Sequence, residues 1–380
     1  MVRATVNPNV LQWALIRSGD SAAVQQKFPR LADWMAGRAS PSLKQMEDFA
    51  KASRVPVGFL FLKEPPEEYL PIADLRTFEG RGVQTPSPDL LDTLYLCQRR
   101  QAWYQEYAEE TGEEPRDFIG SITLRTPPEK AAAQIGSVLS FAVADRKAYP
   151  TWSDALRLFI EKAEAVGILV MVSGVVGSNN TRKLDPHEFR GFALADKLAP
   201  LVFINGADTK AAQMFTLAHE LAHLWLGESA VSNLSLAAPM GQSIEAWCNR
   251  VAAELLVPLA ELNRELAGVN QSLSAVSDLA RAFKVSTLVI IRRLMDAGRI
   301  NRRQFQTAYE TEVARIVGLR RSGGGNFYFT QTARLSRRFA RAVVTSTLEG
   351  QTLYRDAFQM LGIKREKTFQ ELGSMLEVTG

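Results

Sequence analysis

Cysteine is scarce in this chain: only Cys97 and Cys248 occur among 380 residues. Two thiols cannot build a disulfide framework, so a reducing, cytoplasmic setting is expected and stability must come from burial. Long apolar runs are missing too. None reaches the roughly 18 residues of a membrane-spanning helix, which excludes that class. The opening stretch MVRATVNPNVLQWAL has no continuous apolar core before a small-residue cleavage site, so no secretory signal is expected. There is no phosphate-binding loop and no internal repeat, which argues against P-loop chemistry and solenoid architecture. Neither sign of charge dominates, with 45 Lys/Arg against 41 Asp/Glu, a net charge of +4 and a pI near 9.0. That balance permits nucleic-acid contact without requiring it. Histidine is the rarest informative residue: three in all, His187, His219 and His223.

Two of those three fall in one stretch, Phe215-Thr216-Leu217-Ala218-His219-Glu220-Leu221-Ala222-His223-Leu224. The pattern is H-E-x-x-H. On a helix, residues i and i+4 share a face about 6 Å apart, so two imidazoles can hold one Zn²⁺. Glu220 between them supplies the carboxylate that takes a proton from an attacking water. The flanks Phe215, Leu217, Leu221, Leu224 and Leu226 read as a buried helix that Gly227 ends.

A catalytic zinc needs a third protein ligand and an open position. The next helix with polar residues in an apolar setting runs from Ser243 to Pro258. Glu245 lies 22 residues after His223, enough for a loop and a helix that folds back. Asn249 follows one turn later on the same face, where its amide can fix the tautomer of a ligating histidine. Glu254 is the rival ligand. At about 100° per residue, its nine-residue offset places it on the opposite face, so Glu245 is chosen. Cys248 reads as a small buried apolar residue, and His187 as a surface residue in a loop.

Around this pair of helices the chain reads as mainly α, with a small α+β core. Short strands are expected at 168–172, 189–194 and 201–205, a three-stranded sheet beside the H-E-x-x-H helix. The strands at 189–194 and 201–205 offer an edge on which an extended substrate can pair. Arg190 and Tyr328 are candidates for a second oxyanion donor. Before the sheet, helices are expected at 9–17, 21–28, from Pro29 to Gly37, 43–53, 89–110, from 128 and from Thr151 to Val166. Residues 70–82 read as an extended strap. Beyond it, helices at 273–283 and 287–297 frame a Lys284-Val285-Ser286 turn, followed by helices at 300–319 and 332–347 and two more before Leu376. The division expected is 1–66, 67–165, 166–265, 266–310 and 311–380.

Two resemblances add to this reading. Residues 7–62 resemble the Cro/phage-repressor-like (XRE-type) helix-turn-helix family through Leu11, Trp13, Ala14, Leu31, Trp34, Gly37, Pro41, Gln45 and Ala50. The stretch from Ala23 to Leu31 is three or four residues short of the usual helix, turn and recognition helix. Residues 1–62 carry eight Lys/Arg against four acids, an excess that suits phosphate contact. Seven arginines and no acid fall between Arg315 and Arg341. The nucleic-acid contacts expected from these regions are Lys27, Arg30, Arg38, Arg292, Arg293, Arg334, Arg337, Arg338 and Arg341. The second resemblance is more specific. Arg190-Gly191-Phe192, Pro200 to Asn205, the H-E-x-x-H stretch, Glu245 with Trp247-Cys248-Asn249, and Ala252 to Pro258 look like the ImmA/IrrE family of zinc metallopeptidases, over about residues 165–300. It implies a cytosolic peptidase whose protein substrate is a repressor, antitoxin or toxin partner, in stress-response, toxin–antitoxin or phage-defence systems. DNA and a second copy of the chain are further partners admitted here. A second reading makes the chain a DNA-binding regulator or antitoxin with a non-catalytic metal site, and a third a scaffold that captures a toxin.

Overall fold

The structure is a computed structural model that describes residues 6–75, 86–232, 243–267, 273–317 and 333–378. By contact the chain forms two units, 1–71 with 84–94 and 72–83 with 95–380.

The first unit is built on short helices because turn residues interrupt each apolar stripe. α1 (Pro8–Arg17) starts at Asn7, whose side chain caps the Asn9 amide. α2 (Ser21–Lys27) is capped by Asp20, whose Oδ1 accepts from the Ala23 amide at 3.0 Å. α3 (Leu31–Met35) has only five residues. α4 (Leu43–Ser53) has a full capping box, with Ser42 and Gln45 satisfying each other's backbone N–H. Val10, Leu11, Ala14, Leu31, Trp34, Met46, Phe49 and Leu60 form the core, with Phe28, Trp34 and Phe49 in edge and tilted ring contacts. Arg17 is buried and pairs with Glu68 and Asp92.

The second unit holds a five-stranded sheet, not the three strands expected. Its strands are β1 (Ala73–Asp74), β2 (Leu169–Ser173), β3 (Gly191–Leu194), β4 (Leu201–Asn205) and β5 (Ala230–Ser232), in the order β1-β5-β3-β4-β2. β3 runs antiparallel to both β4 and β5, while β2–β4 and β1–β5 are parallel. This order overturns one expectation. The strands at 189–194 and 201–205 are interior, with hydrogen-bonded neighbours on both sides, so neither offers an edge. β1 and β5 escape a sequence reading because they are two and three residues long and show no alternation.

Both faces of the sheet are covered, which is why its strands read as continuous apolar runs. Val170, Ala193, Val202 and Ile204 join the core shared with the site helix. Phe192 and Phe203, opposite each other in register, stack at 4.9 Å on the other face. That core runs from Ile119 to Phe305. It takes in α6 (Pro128–Val138), α8 (Trp152–Ala165), α9 (Lys210–Leu226), α10 (Ile244–Leu256), α12 (Val276–Phe283) and α13 (Thr287–Asp296). The remaining helices are α5 (Pro88–Glu110), α7 (Val143–Lys147), α11 (Leu259–Glu265), α14 (Arg302–Val317), α15 (Arg337–Leu348), α16 (Tyr354–Leu361) and α17 (Glu366–Met375). Ser336, at φ +65°, breaks the helix expected over 332–347. No described helix is long and apolar enough to cross a membrane.

Candidate metal centre

α9 is buried from Gln213 to Trp225 on every side, the signature of a central helix. Thr209 caps its start, and Gly227, at φ +75°, ends it in the left-handed conformation that lacks a Cβ penalty. α10 folds back against it. Ser243 caps α10, Glu245 lies in its first turn, and the Trp247 indole donates to the Thr126 carbonyl at 2.9 Å.

This packing brings His219, His223 and Glu245 together. Their ligand atoms lie within 4.8 Å of one another. His219 Nε2 and His223 Nε2 are 3.1 Å apart. Glu245 Oε1 is 3.0 Å from His223 Nε2, and Oε2 is 3.4 Å from His219 Nε2. Ligand atoms at tetrahedral angles around zinc stand about 3.3 Å apart, given Zn–N and Zn–O distances near 2.0–2.1 Å. The observed spacing therefore fits a single zinc ion. Proton bookkeeping agrees. His219 Nδ1 faces Asn249 Oδ1 at 3.0 Å. Asn249 accepts the Nδ1 proton, which leaves the Nε2 lone pair aimed at the same point as Glu245.

Burial pushes Glu245 towards its neutral form, but His219 and His223 outweigh it and hold the carboxyl at about 2. Burial lowers His223. Glu220 is fully buried one residue from His219, and neither carboxylate oxygen has a hydrogen-bond partner among the described residues. Burial, then repulsion from Glu245, drives its carboxyl well above the usual range, while the Ser232 hydroxyl beside it pulls the other way. Gly191 makes room for Glu220: a Cβ there would stand 2.6 Å from Thr216 Cγ2, 2.8 Å from the Phe203 carbonyl and 3.0 Å from Glu220 Oε1.

The other candidates lie elsewhere. Glu254 points away and pairs with Arg293. Cys248 is buried and its thiol is pushed up by burial. His187 is exposed in a turn. Arg190 pairs with Asp208 at 3.4 Å. It precedes Gly191, which faces Glu220, so strand alternation sends it to the opposite face. Tyr328 lies outside the described residues.

The expected nucleic-acid contacts need correction at three positions. Arg293 is 4% exposed, and its guanidinium is spent on Glu254, Asp296 and the Val257 carbonyl. Arg292 pairs with Asp296 at 3.0 Å. Arg338 is held by Tyr104 and Glu113. Charge already neutralised inside the fold is not available to phosphate. Arg334 donates to Asn180 at 3.3 Å. Lys27, Arg30, Arg337 and Arg341 are exposed, as is Arg38, which pairs with Asp33.

Ser232 and Gly191 are functional candidates that sequence reasoning did not assign. Gly191 carried a signal, a lone glycine inside a strand pattern, which marks close backbone approach. Ser232 carried none. Comparison with known proteins bears on the same region. No curated protein and no solved structure matches the chain. Residues 335–375 match a domain of unknown function (DUF8813). Residues 163–295 match the family described as the IrrE N-terminal-like domain, a peptidase family, and that match spans β2 to α13 with every residue of the centre. The candidate metal centre thus lies within the segment, residues 163–295, whose similarity to the IrrE N-terminal-like peptidase domain supports the ImmA/IrrE reading.

Proposed function

We propose that the chain is a zinc-dependent endopeptidase that cleaves, and so inactivates, a regulatory protein of repressor or antitoxin type. The observation that carries this reading is the convergence of His219, His223 and Glu245 beside a buried, unpartnered Glu220, within the segment similar to IrrE. His219, His223 and Glu245 would hold the ion, with Asn249 fixing the His219 tautomer. Zinc, when bound, supplies Lewis-acid polarisation of the scissile carbonyl and acidifies a water. Glu220 takes the proton of the attacking water and passes it to the leaving amine. Its burial keeps bulk water from competing for that proton.

The alternative, a DNA-binding regulator with a non-catalytic metal site, has less support. A closed structural site has no use for the carboxylate of Glu220, and three of the arginines it needs are paired within the fold. The test is incubation of the zinc-loaded chain with the product of the adjacent gene. Wild type is expected to cleave it, and Glu220→Gln to keep one zinc per chain and leave it intact. Equal cleavage by the variant, or a wild-type chain that takes up no zinc, refutes the reading.

A further inference from the structure

Catalysis by a buried carboxylate raises a question of support. Each unpaired buried polar atom is costly, and a general base must also be held within hydrogen-bond reach of its proton. Neither oxygen of Glu220 makes a hydrogen bond of good geometry among the described residues, and neither does the fully buried hydroxyl of Ser232, which stands beside it. The sheet brings these orphans to one place. Ser232 on β5 is the direct register partner of Gly191 on β3. Opposed residues on antiparallel strands project to the same face. The Cβ that Gly191 lacks would stand 3.0 Å from Glu220 Oε1, so this is the face that looks at Glu220. Thr216, one turn before Glu220, cannot serve instead. It turns its methyl group to that spot, and its hydroxyl donates to the Ala212 carbonyl at 3.1 Å.

We propose that Ser232 is a positioning residue for Glu220, its hydroxyl rotating to donate a hydrogen bond to the carboxylate and hold it against the attacking water. Gly191 and Ser232 then work as a pair across the β3–β5 ladder, one vacating space for the carboxylate and the other orienting it. The proposal rests on the reading of Glu220 as the base. A strand of three residues, tied to β1 on one side and β3 on the other, gives the hydroxyl a rigid mount.

A crystal structure of the zinc-loaded protein tests it without any substrate. Ser232 Oγ is expected within about 3.2 Å of a Glu220 oxygen, and the carboxylate is expected to shift or lose order in Ser232→Ala. An Oγ beyond about 4 Å, or an unmoved carboxylate in the variant, overturns the proposal. The kinetic arm uses a quenched-fluorescent peptide library as probe. Ser232→Ala should lower kcat about ten- to a hundredfold with KM and zinc content unchanged, and Ser232→Thr, which restores the hydroxyl, should recover most of it. Loss of zinc or equal loss in Ser232→Thr would mark a merely structural role. Glu220→Gln separates the two readings. If it cleaves like wild type, the assignment of the base fails; if it is inactive while Ser232→Ala matches wild type, only the role of Ser232 fails.

Discussion

At its N-terminal end α10 presents Glu245 and Asn249 to two imidazoles and to a carboxylate whose oxygens meet no partner among the described residues. At its C-terminal end the same helix presents Glu254 to Arg293, which also binds Asp296 and the Val257 carbonyl. Both ends bury charge, but only the second satisfies it. A buried polar group that is fully paired fixes how elements dock. One left open has been kept for something that arrives later, an ion, a water or a substrate. The contrast favours the proposed chemical role for the first cluster and an architectural one for the second.

Substitutions should separate the two. Glu220→Gln is expected to have the largest effect, a loss of cleavage of about 10²–10⁴-fold in kcat. Its melting temperature should match or exceed that of wild type, because the amide has no ionised form for burial to penalise and keeps an oxygen that can accept from Ser232. A fall in stability would dissolve the distinction. Arg293→Met should do the reverse. It takes from Glu254 its guanidinium partner, leaving Asp296 with Arg292 alone, and should cost about 3–5 kcal/mol in chemical denaturation, while the protein that remains folded binds zinc as wild type does.

Two buried carboxylates sharpen the comparison. Glu164 near the end of α8 has two donors of good geometry, the Ser336 hydroxyl and the Arg337 amide. Burial still raises its carboxyl from 4.5 to about 7, with those donors pulling it down. Unfolded, Glu164 loses its proton near 4.5; folded, near 7. Between those values the folded chain binds the extra proton, so stability falls as pH rises through that window and levels off above it. The drop is on the order of 3 kcal/mol. Glu164→Gln keeps an acceptor for both donors and should flatten the profile, as measured by urea midpoints between pH 4.5 and 8. Asn249→Ala, the smallest change, leaves the three donors in place but frees the His219 ring, and should weaken zinc binding about 10–100-fold by competition with a chelator.

Much of the centre was legible because its signals are local. H-E-x-x-H fixes a face, and α10 reveals itself by Ser243 at the cap and Pro258 at the end. The nine-residue offset correctly separated Glu254 from Glu245. What stayed hidden depends on tertiary pairing. β1 and β5 have too few residues to show a period, so Ser232 read as loop. Arg293 looked like a surface charge in a basic helix, yet it lies four residues after Val289 and three after Ile290, inside the apolar stripe of α13. That placement was visible, and the acid that receives it, Glu254, lies 39 residues away. The arginine excess from 315 to 341 likewise said nothing about Tyr104 and Glu113, which engage Arg338 from far upstream.

The two residues of β1 have a consequence for how molecules of this protein meet one another. Without them β5 would leave a row of amides and carbonyls open beside the most reactive part of the fold, a template for a strand from any neighbouring chain. Ala73 and Asp74 cover that row, with Leu75 closing it through a 3.0 Å bond to the Val231 carbonyl, and they are too few to offer a new template in turn. The short strap thus leaves β5 no free ladder for a foreign strand on this side.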